Sequence, residues 1–324
     1  MLRLPCAPQP NTTIVSPLLL LGPRFHDTKG WISLSSSLLS LFFFTIYIAS
    51  GLVGIARLFQ GAFDLSLTLS LAIGLGVTLL YTLVGGFLAV AWCNVFKGLF
   101  MLVVIIVVPV VAWFSLPAHA DLTSLVSLSH LFPADKSLIA SILLIGGWGL
   151  GYFGQPHILI YFMGIEDPKK IIYSKYIGMA WMILALAAAA SIGFIGTLFY
   201  STPLALPETL FISLVKVLFS PFFAGVALCG IFAATLATMN NHILLAGSVC
   251  AEDLYKRFYN PHLSQRGQIM ISRIGSIVIG LLAAAVVLLG NTNSIYQLVS
   301  YAWSGLGSSF GPVLIASLYS TRVT

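Results

Sequence analysis

Long apolar stretches separated by short polar segments make up most of this 324-residue chain. Eight stretches are long enough to cross the hydrocarbon layer of a bilayer, about 30 Å thick, as helices. They cover residues 32–56, 66–91, 95–116, 138–163, 176–200, 219–249, 268–289 and 295–319. The pattern predicts an all-α integral membrane protein, with a cytoplasmic N-terminal segment at 1–30 and a single transmembrane domain at 31–324.

The fourth stretch is interrupted by glycines and a proline in the sequence GGWGLGYFGQPH, from Gly146 to His157. Each Gly costs about 1 kcal/mol relative to Ala in a helix, and Pro156 removes a backbone donor. The pattern therefore predicts a broken helix. In hydrocarbon, broken backbone is tolerated where protein or a water-filled cavity satisfies it, and secondary transporters bind solute and ion at such breaks. The alternative is a packing kink, with small residues that let helices approach closely.

Composition excludes a water-soluble domain, because 59% of the residues are hydrophobic and 7% are charged. The 15 Lys and Arg residues form no basic stripe, which argues against a nucleic-acid partner. When the loops are assigned to alternate sides, all of these residues except Arg57, Lys136 and Lys216 fall on one side. The positive-inside rule then predicts that both termini are cytoplasmic.

The nine acidic residues all fall in loops or at the edges of apolar stretches. A cation site at membrane depth would therefore be built from hydroxyl and carbonyl oxygens. No metalloprotease, nucleophile-elbow or P-loop motif is present, so we predict a protein that is not an enzyme and has no cofactor.

Polar side chains in the sixth stretch offer such oxygens. Thr238 shares a helical face with residues 234, 237 and 241, and its hydroxyl suits a hard cation such as sodium. The equally open alternative is that these groups hydrogen-bond to neighbouring helices.

Aromatic residues recur near the break in the fourth stretch. Trp148, Tyr152 and Pro156 are spaced by four residues and would line one side of a helix. Aromatic rings beside freed backbone groups suit a small zwitterionic or cyclic apolar solute. Tyr47 in the first stretch is a further candidate, although such a residue is more often a packing or interfacial residue.

Several long motifs resemble the sodium:solute symporter family, most closely its proline-transporting bacterial members. They are FFTIYIASG around Tyr47, YTLVGGFLAVAW at 81–92, GWGLGYFGQPHIL at 147–159, AEDLYK at 251–256 and VSYAWSGLGSSFGPV at 299–313. The resemblance implies a fold of inverted five-helix repeats that binds solute and sodium between broken helices. On that plan the eight stretches correspond to core helices three to ten. We therefore expect an incomplete first repeat and a chain truncated at both ends.

The resemblance also implies roles for particular residues. Trp148, Tyr152 and Pro156 match positions associated with proline binding, and Tyr47 matches a tyrosine near the solute pathway. The sodium positions of the family, a backbone carbonyl, a serine and a threonine, correspond to Ala234, Ala237 and Thr238.

Two departures from the family pattern bear on sodium. At the serine position Ala237 has no hydroxyl. In the WTD-x-x-Q motif, Asn94 replaces the acidic residue and Lys97 replaces the glutamine. Both departures are expected to weaken sodium recruitment.

Two functions follow from the resemblance. The first is sodium-coupled symport of L-proline into the cell by alternating access. It would take place in the bacterial inner membrane, with Na⁺ as coupling ion and membrane lipid as surroundings. The alternative is a non-transporting fragment or subunit that needs a separate N-terminal piece.

Overall fold

A computed structural model of the chain describes residues 27, 29–116, 138–163, 165, 167–200, 204–290 and 294–319. Most of the predicted N-terminal segment 1–30 lies outside these residues. Within them the regular structure is helical, in nine α-helices. These are Trp31–Phe63 (α1), Leu67–Phe114 (α2), Leu138–Gly151 (α3), Pro156–Met163 (α4), Ile171–Phe199 (α5), Leu210–Leu218 (α6), Pro221–Ser248 (α7), Gln265–Leu289 (α8) and Ile295–Tyr319 (α9).

Helix α1 lies at the centre of the bundle. Its residues Phe44, Ile48, Leu52 and Ile55 recur at three- or four-residue spacing and are fully buried, so one stripe of the helix forms the core. This stripe belongs to the same apolar cluster as residues of α7, α8 and α9. Helices α7 and α9, which carry part of the candidate site, are therefore packed against the same central helix.

Helix α2 contains both the second and the third predicted stretch in one run of 48 helical residues. Tyr81 and Lys97 would be about 24 Å apart along a straight helix. Instead the Lys97 ammonium lies 4.1 Å from the centre of the Tyr81 ring. The helix is therefore sharply bent between them, in a segment whose sequence contains the pair Gly85-Gly86, where kinks commonly occur.

Six described segments are long and apolar enough to cross a membrane. They are Trp31–Phe63, Leu67–Val84, Val90–Phe114, Pro168–Phe199, Pro221–Lys256 and Gln265–Leu289. The other two predicted stretches, 138–163 and 295–319, are not among these six segments. Residues 138–163 are divided by the break, and α9 is diluted by Gly and Ser.

Helix α7 continues as a π-helix, Val249–Lys256, beyond the predicted end of its stretch at residue 249. Just past the π-helix, the Arg257 guanidinium donates to the Asp27 carbonyl oxygen at 3.0 Å and to Ser33 Oγ at 2.9 Å. The Asp27 carboxylate lies 3.4 Å from the same guanidinium. These contacts tie the start of α1 to the end of α7.

Candidate functional site: the break between α3 and α4

The predicted break is present in the fourth stretch. Helix α3 ends at Gly151, a 3₁₀ turn covers Tyr152–Gly154, and α4 begins at Pro156. Gln155 between them is extended, with φ −95° and ψ 102°. Its carbonyl oxygen accepts from the N–H groups of Ile158 and Leu159 at 3.0 and 3.2 Å, so α4 starts afresh after the break.

Glycines bring the broken segment against α9. A Cβ placed on Gly154 would lie 2.7 Å from the Gly307 carbonyl oxygen and 2.7 Å from the Gly311 nitrogen. A carbon atom does not approach other atoms this closely, and backbone atoms cannot shift one by one to relieve the clash. The glycine at 154 thus permits a backbone-to-backbone contact between the break and α9.

Trp303 of α9 fixes both sides of the break. Its indole N–H donates to the Trp148 carbonyl oxygen at 3.1 Å, and its own carbonyl accepts from Gln155 Nε2 at 3.1 Å. The Trp148 ring stacks on it with centroids 5.5 Å apart, and the Tyr152 ring meets it edge-on at 4.8 Å. Two of the predicted solute-site residues, Trp148 and Tyr152, are therefore joined through a tryptophan of another helix.

A second group of rings lies between α1, α4 and α7. Tyr47 stacks on His242 with centroids 4.1 Å apart and an angle of 17°. The centroid of the His157 ring lies 4.3 Å from that of His242 and 5.9 Å from that of Tyr47. It lies 6.5 Å from the centroid of the Trp303 ring. The two groups thus form one continuous aromatic cluster, and Tyr47 belongs to it.

His242 connects this cluster to the predicted sodium residues. Its Nδ1 lies 2.8 Å from the Thr238 carbonyl oxygen, which accepts only, so Nδ1 carries the proton. The Thr238 hydroxyl in turn donates to the Ala234 carbonyl oxygen at 3.2 Å. Ala234 and Thr238 therefore place two oxygens side by side on α7.

The remaining two predicted positions are Ala237 and Pro156. Ala237 lies in the same turn of α7 and brings a methyl group, so it supplies no side-chain oxygen to a cation. Pro156 is buried as the first residue of α4, just past the break. Its place is thus at the start of α4 rather than on a helical face continuous with Trp148.

An open groove with a cavity volume of about 810 Å³ runs between α3 and α9 beside these rings. Trp148, Trp303 and several Gly and Ser residues line it, including Gly151, Ser304 and Ser308. The groove borders the Trp148 side of the cluster.

The sequence reasoning missed three members of the site. They are His242, His157 and Gln155, which the sequence pattern alone did not mark as site residues. Their positions in the sequence could have indicated them. Gln155 and His157 flank the proline of the break, and His242 follows Thr238 by one helical turn. What the sequence lacked was the packing of α4 against α7.

Sequence comparison identifies the family. The profile of the sodium:solute symporter family matches residues 19–324, which is nearly the whole chain. The chain belongs to the sodium:solute symporter family. The predicted resemblance is therefore confirmed.

Curated relatives of this symporter-family chain are bacterial proline transporters by name. It is 38% identical over 324 residues to the sodium/proline symporter of Escherichia coli (strain K12), covering 97% of this chain and 64% of that protein. It is 36% identical over 309 residues to the high-affinity proline transporter PutP of Bacillus subtilis (strain 168), covering 93% and 65%. The chain thus spans less than two thirds of the length of these relatives.

Among solved structures, a Na⁺-coupled sialic acid symporter in a substrate-bound outward-open state matches this symporter-family chain with a TM-score of 0.73. The match covers 95% of this chain and 66% of that one at 15% sequence identity, so it shows the fold alone. It confirms the predicted class, an all-α membrane protein of the symporter fold. The family and its relatives are symporters by name, in agreement with the prediction that the chain is not an enzyme.

Proposed function

We propose that this symporter-family chain carries out sodium-coupled symport of L-proline into the cell by alternating access. The observation that carries the proposal is a path of contacts from α7 to the break. The Thr238 carbonyl oxygen accepts a hydrogen bond from His242, and the His242 ring stacks on the Tyr47 ring. The His157 ring lies in contact with the His242 ring and with the Trp303 ring. A solute at the break and an ion on α7 would thus contact two ends of one packed cluster. Such a cluster supplies a physical route for coupling free energy between the two sites.

The solute half of the site would be formed by Trp148, Tyr152, Pro156 and Tyr47. Proline has a compact apolar ring that suits aromatic and prolyl walls, and its secondary ammonium is attracted to aromatic faces. The N-terminus of α4 directs its positive dipole end toward the break and would favour the carboxylate of a bound amino acid. Gln155 Oε1, which is buried and lacks a hydrogen-bond partner among the described residues, would accept from the ammonium.

The sodium half would be formed by the Ala234 carbonyl oxygen and the Thr238 hydroxyl. These oxygens are hard ligands of the type that Na⁺ prefers, and they lie together on α7. The methyl group of Ala237 leaves this half without a further hydroxyl. We therefore expect weak sodium binding, with a dissociation constant that falls when a hydroxyl is restored by Ala237→Ser.

We further propose that the protein lies in the bacterial inner membrane with both termini in the cytoplasm. The sequence distribution of Lys and Arg supports this orientation. The six membrane-length segments support a multi-pass protein surrounded by lipid.

The direct test is uptake of labelled proline by bacteria that lack their own proline carriers and express this chain. Uptake is measured with sodium or choline in the medium. The proposal predicts uptake that requires sodium and falls at least tenfold in Tyr152→Ala, while the Tyr152→Phe variant keeps the ring and retains most of it. No uptake from a chain shown to be inserted in the membrane contradicts the proposal and favours a non-transporting subunit.

A further inference from the structure

A half-buried lysine follows the bend of α2, and no carboxylate among the described residues pairs with it. Lys97 lies within the membrane-length segment Val90–Phe114, and its ammonium is shielded from solvent and has no hydrogen-bond partner in the part of the chain that the structure describes. Its contact is with the face of the Tyr81 ring, at 4.1 Å.

Such an ammonium acts on its surroundings more strongly than a surface lysine does. Water screens exposed charges, but a charge surrounded by protein is screened much less. The quadrupole of the Tyr81 ring attracts the cation without neutralising it. A positive field therefore remains around the bend of α2.

Hydrogen bonds join this bend to the part of α7 that carries Thr238. Asn94, one turn before Lys97, donates from Nδ2 to Asn241 Oδ1 at 3.0 Å, and the Tyr161 hydroxyl donates to the same oxygen at 2.8 Å. Asn241 lies one turn beyond Thr238 on α7. The two helices run antiparallel, since Asn94 faces Asn241 and Val104 faces Gly230, so the backbones of Lys97 and Thr238 lie at about the same level. The axes of packed helices are about 8–10 Å apart, which sets the separation of the two residues at about 10 Å.

We propose that Lys97 is a built-in cation that weakens sodium binding at Ala234 and Thr238. The inference rests on the proposed sodium site of the preceding section. Two unit charges about 10 Å apart repel each other enough, at an effective dielectric constant of about 20, to lower affinity about tenfold. Weaker binding favours release of the ion, so Lys97 sets the sodium concentration range over which the protein works.

The test is equilibrium binding of radioactive ²²Na⁺ to the full chain in lipid nanodiscs. Lys97→Met removes the charge and keeps an unbranched stem, and we expect the sodium dissociation constant to fall about tenfold. Lys97→Arg keeps the charge and should match the wild type within about twofold. Lys175→Met, at an exposed lysine on α5, is the matched control and should also match the wild type.

Each pattern of results decides the point. A gain in affinity confined to Lys97→Met supports the proposal, and misfolding does not produce such a gain. Unchanged affinity in Lys97→Met, or loss only in Lys97→Arg, overturns the role of Lys97 and leaves the proposed symport intact. If neither the wild type nor any variant binds sodium, both the sodium site and the role of Lys97 are wrong.

Discussion

Replacing Gly154 by alanine tests whether close backbone contact with α9 holds the broken segment in place. The added Cβ would lie 2.7 Å from three backbone atoms, the carbonyl oxygens of Leu306 and Gly307 and the nitrogen of Gly311. Ordinary contact requires at least 3.4 Å. The helices must therefore separate by about 0.7 Å, because no flexible side chain is present to absorb the clash.

The cost follows from overpacking and from lost contacts. Inserting a methyl group into a packed site costs about 1–3 kcal/mol, and a small gap between surfaces forfeits a quarter or more of the dispersion energy there. With an unfolding entropy of about 2.1 cal/mol/K per residue, each kcal/mol corresponds to about 1.5 °C in apparent Tm for this chain. We therefore expect Gly154→Ala to lower the Tm by about 1.5–4.5 °C.

The assay is thermal unfolding of the purified protein in detergent, with Gly149→Ala as matched control. A Cβ on Gly149 meets nothing within 4 Å, and alanine there gains about 1 kcal/mol of helix propensity, so the control should be neutral or stabilising. Equal Tm values for Gly154→Ala and Gly149→Ala would refute the argument that close contact with α9 positions the break.

Three further substitutions test single contacts by the change in apparent Tm. Trp303→Phe keeps an aromatic ring but deletes the bond to the Trp148 carbonyl, which should cost about 1 kcal/mol; an unchanged Tm speaks against that bond. His242→Phe keeps ring stacking and deletes the bond to the carbonyl one turn earlier, with a similar cost, whereas His242→Asn should lose more because stacking is lost as well. Arg257→Gln removes a largely buried ion pair with Asp27 together with the bonds to Ser33 and the Asp27 carbonyl oxygen, so the loss should exceed about 1 kcal/mol and change little in high salt; a smaller loss that disappears in high salt contradicts this.

Much of the helical framework follows from apolar stretch length, because the bilayer sets how long a spanning helix must be. The break was predictable for a similar reason, since Gly and Pro oppose a helix wherever they occur. The bend in α2 was harder to predict. The sequence predicted two separate stretches, whereas in the structure one bent helix contains both. Helix α6 was not predicted because its nine residues are too few to cross a membrane, and the sequence was searched for membrane-length stretches. Its buried residues are Ile212, Leu214 and Val215.

The candidate site was only partly predictable. Trp148 and Tyr152 were found from spacing along one helix, but their shared partner Trp303 lies on α9, and no local pattern connects residues 155 positions apart. The pairing of His157 with His242 likewise depends on how α4 packs against α7. Contacts between distant segments arise from tertiary packing, which local periodicity does not encode.

The central claim is that solute at the break and sodium on α7 bind with positive coupling. The most direct measurement is equilibrium binding of labelled proline to the purified chain in nanodiscs, titrated with sodium against choline. The account predicts that sodium lowers the dissociation constant for proline, and that proline lowers that for sodium by the same factor. Proline binding that is independent of sodium, or no proline binding by a folded chain, would contradict it.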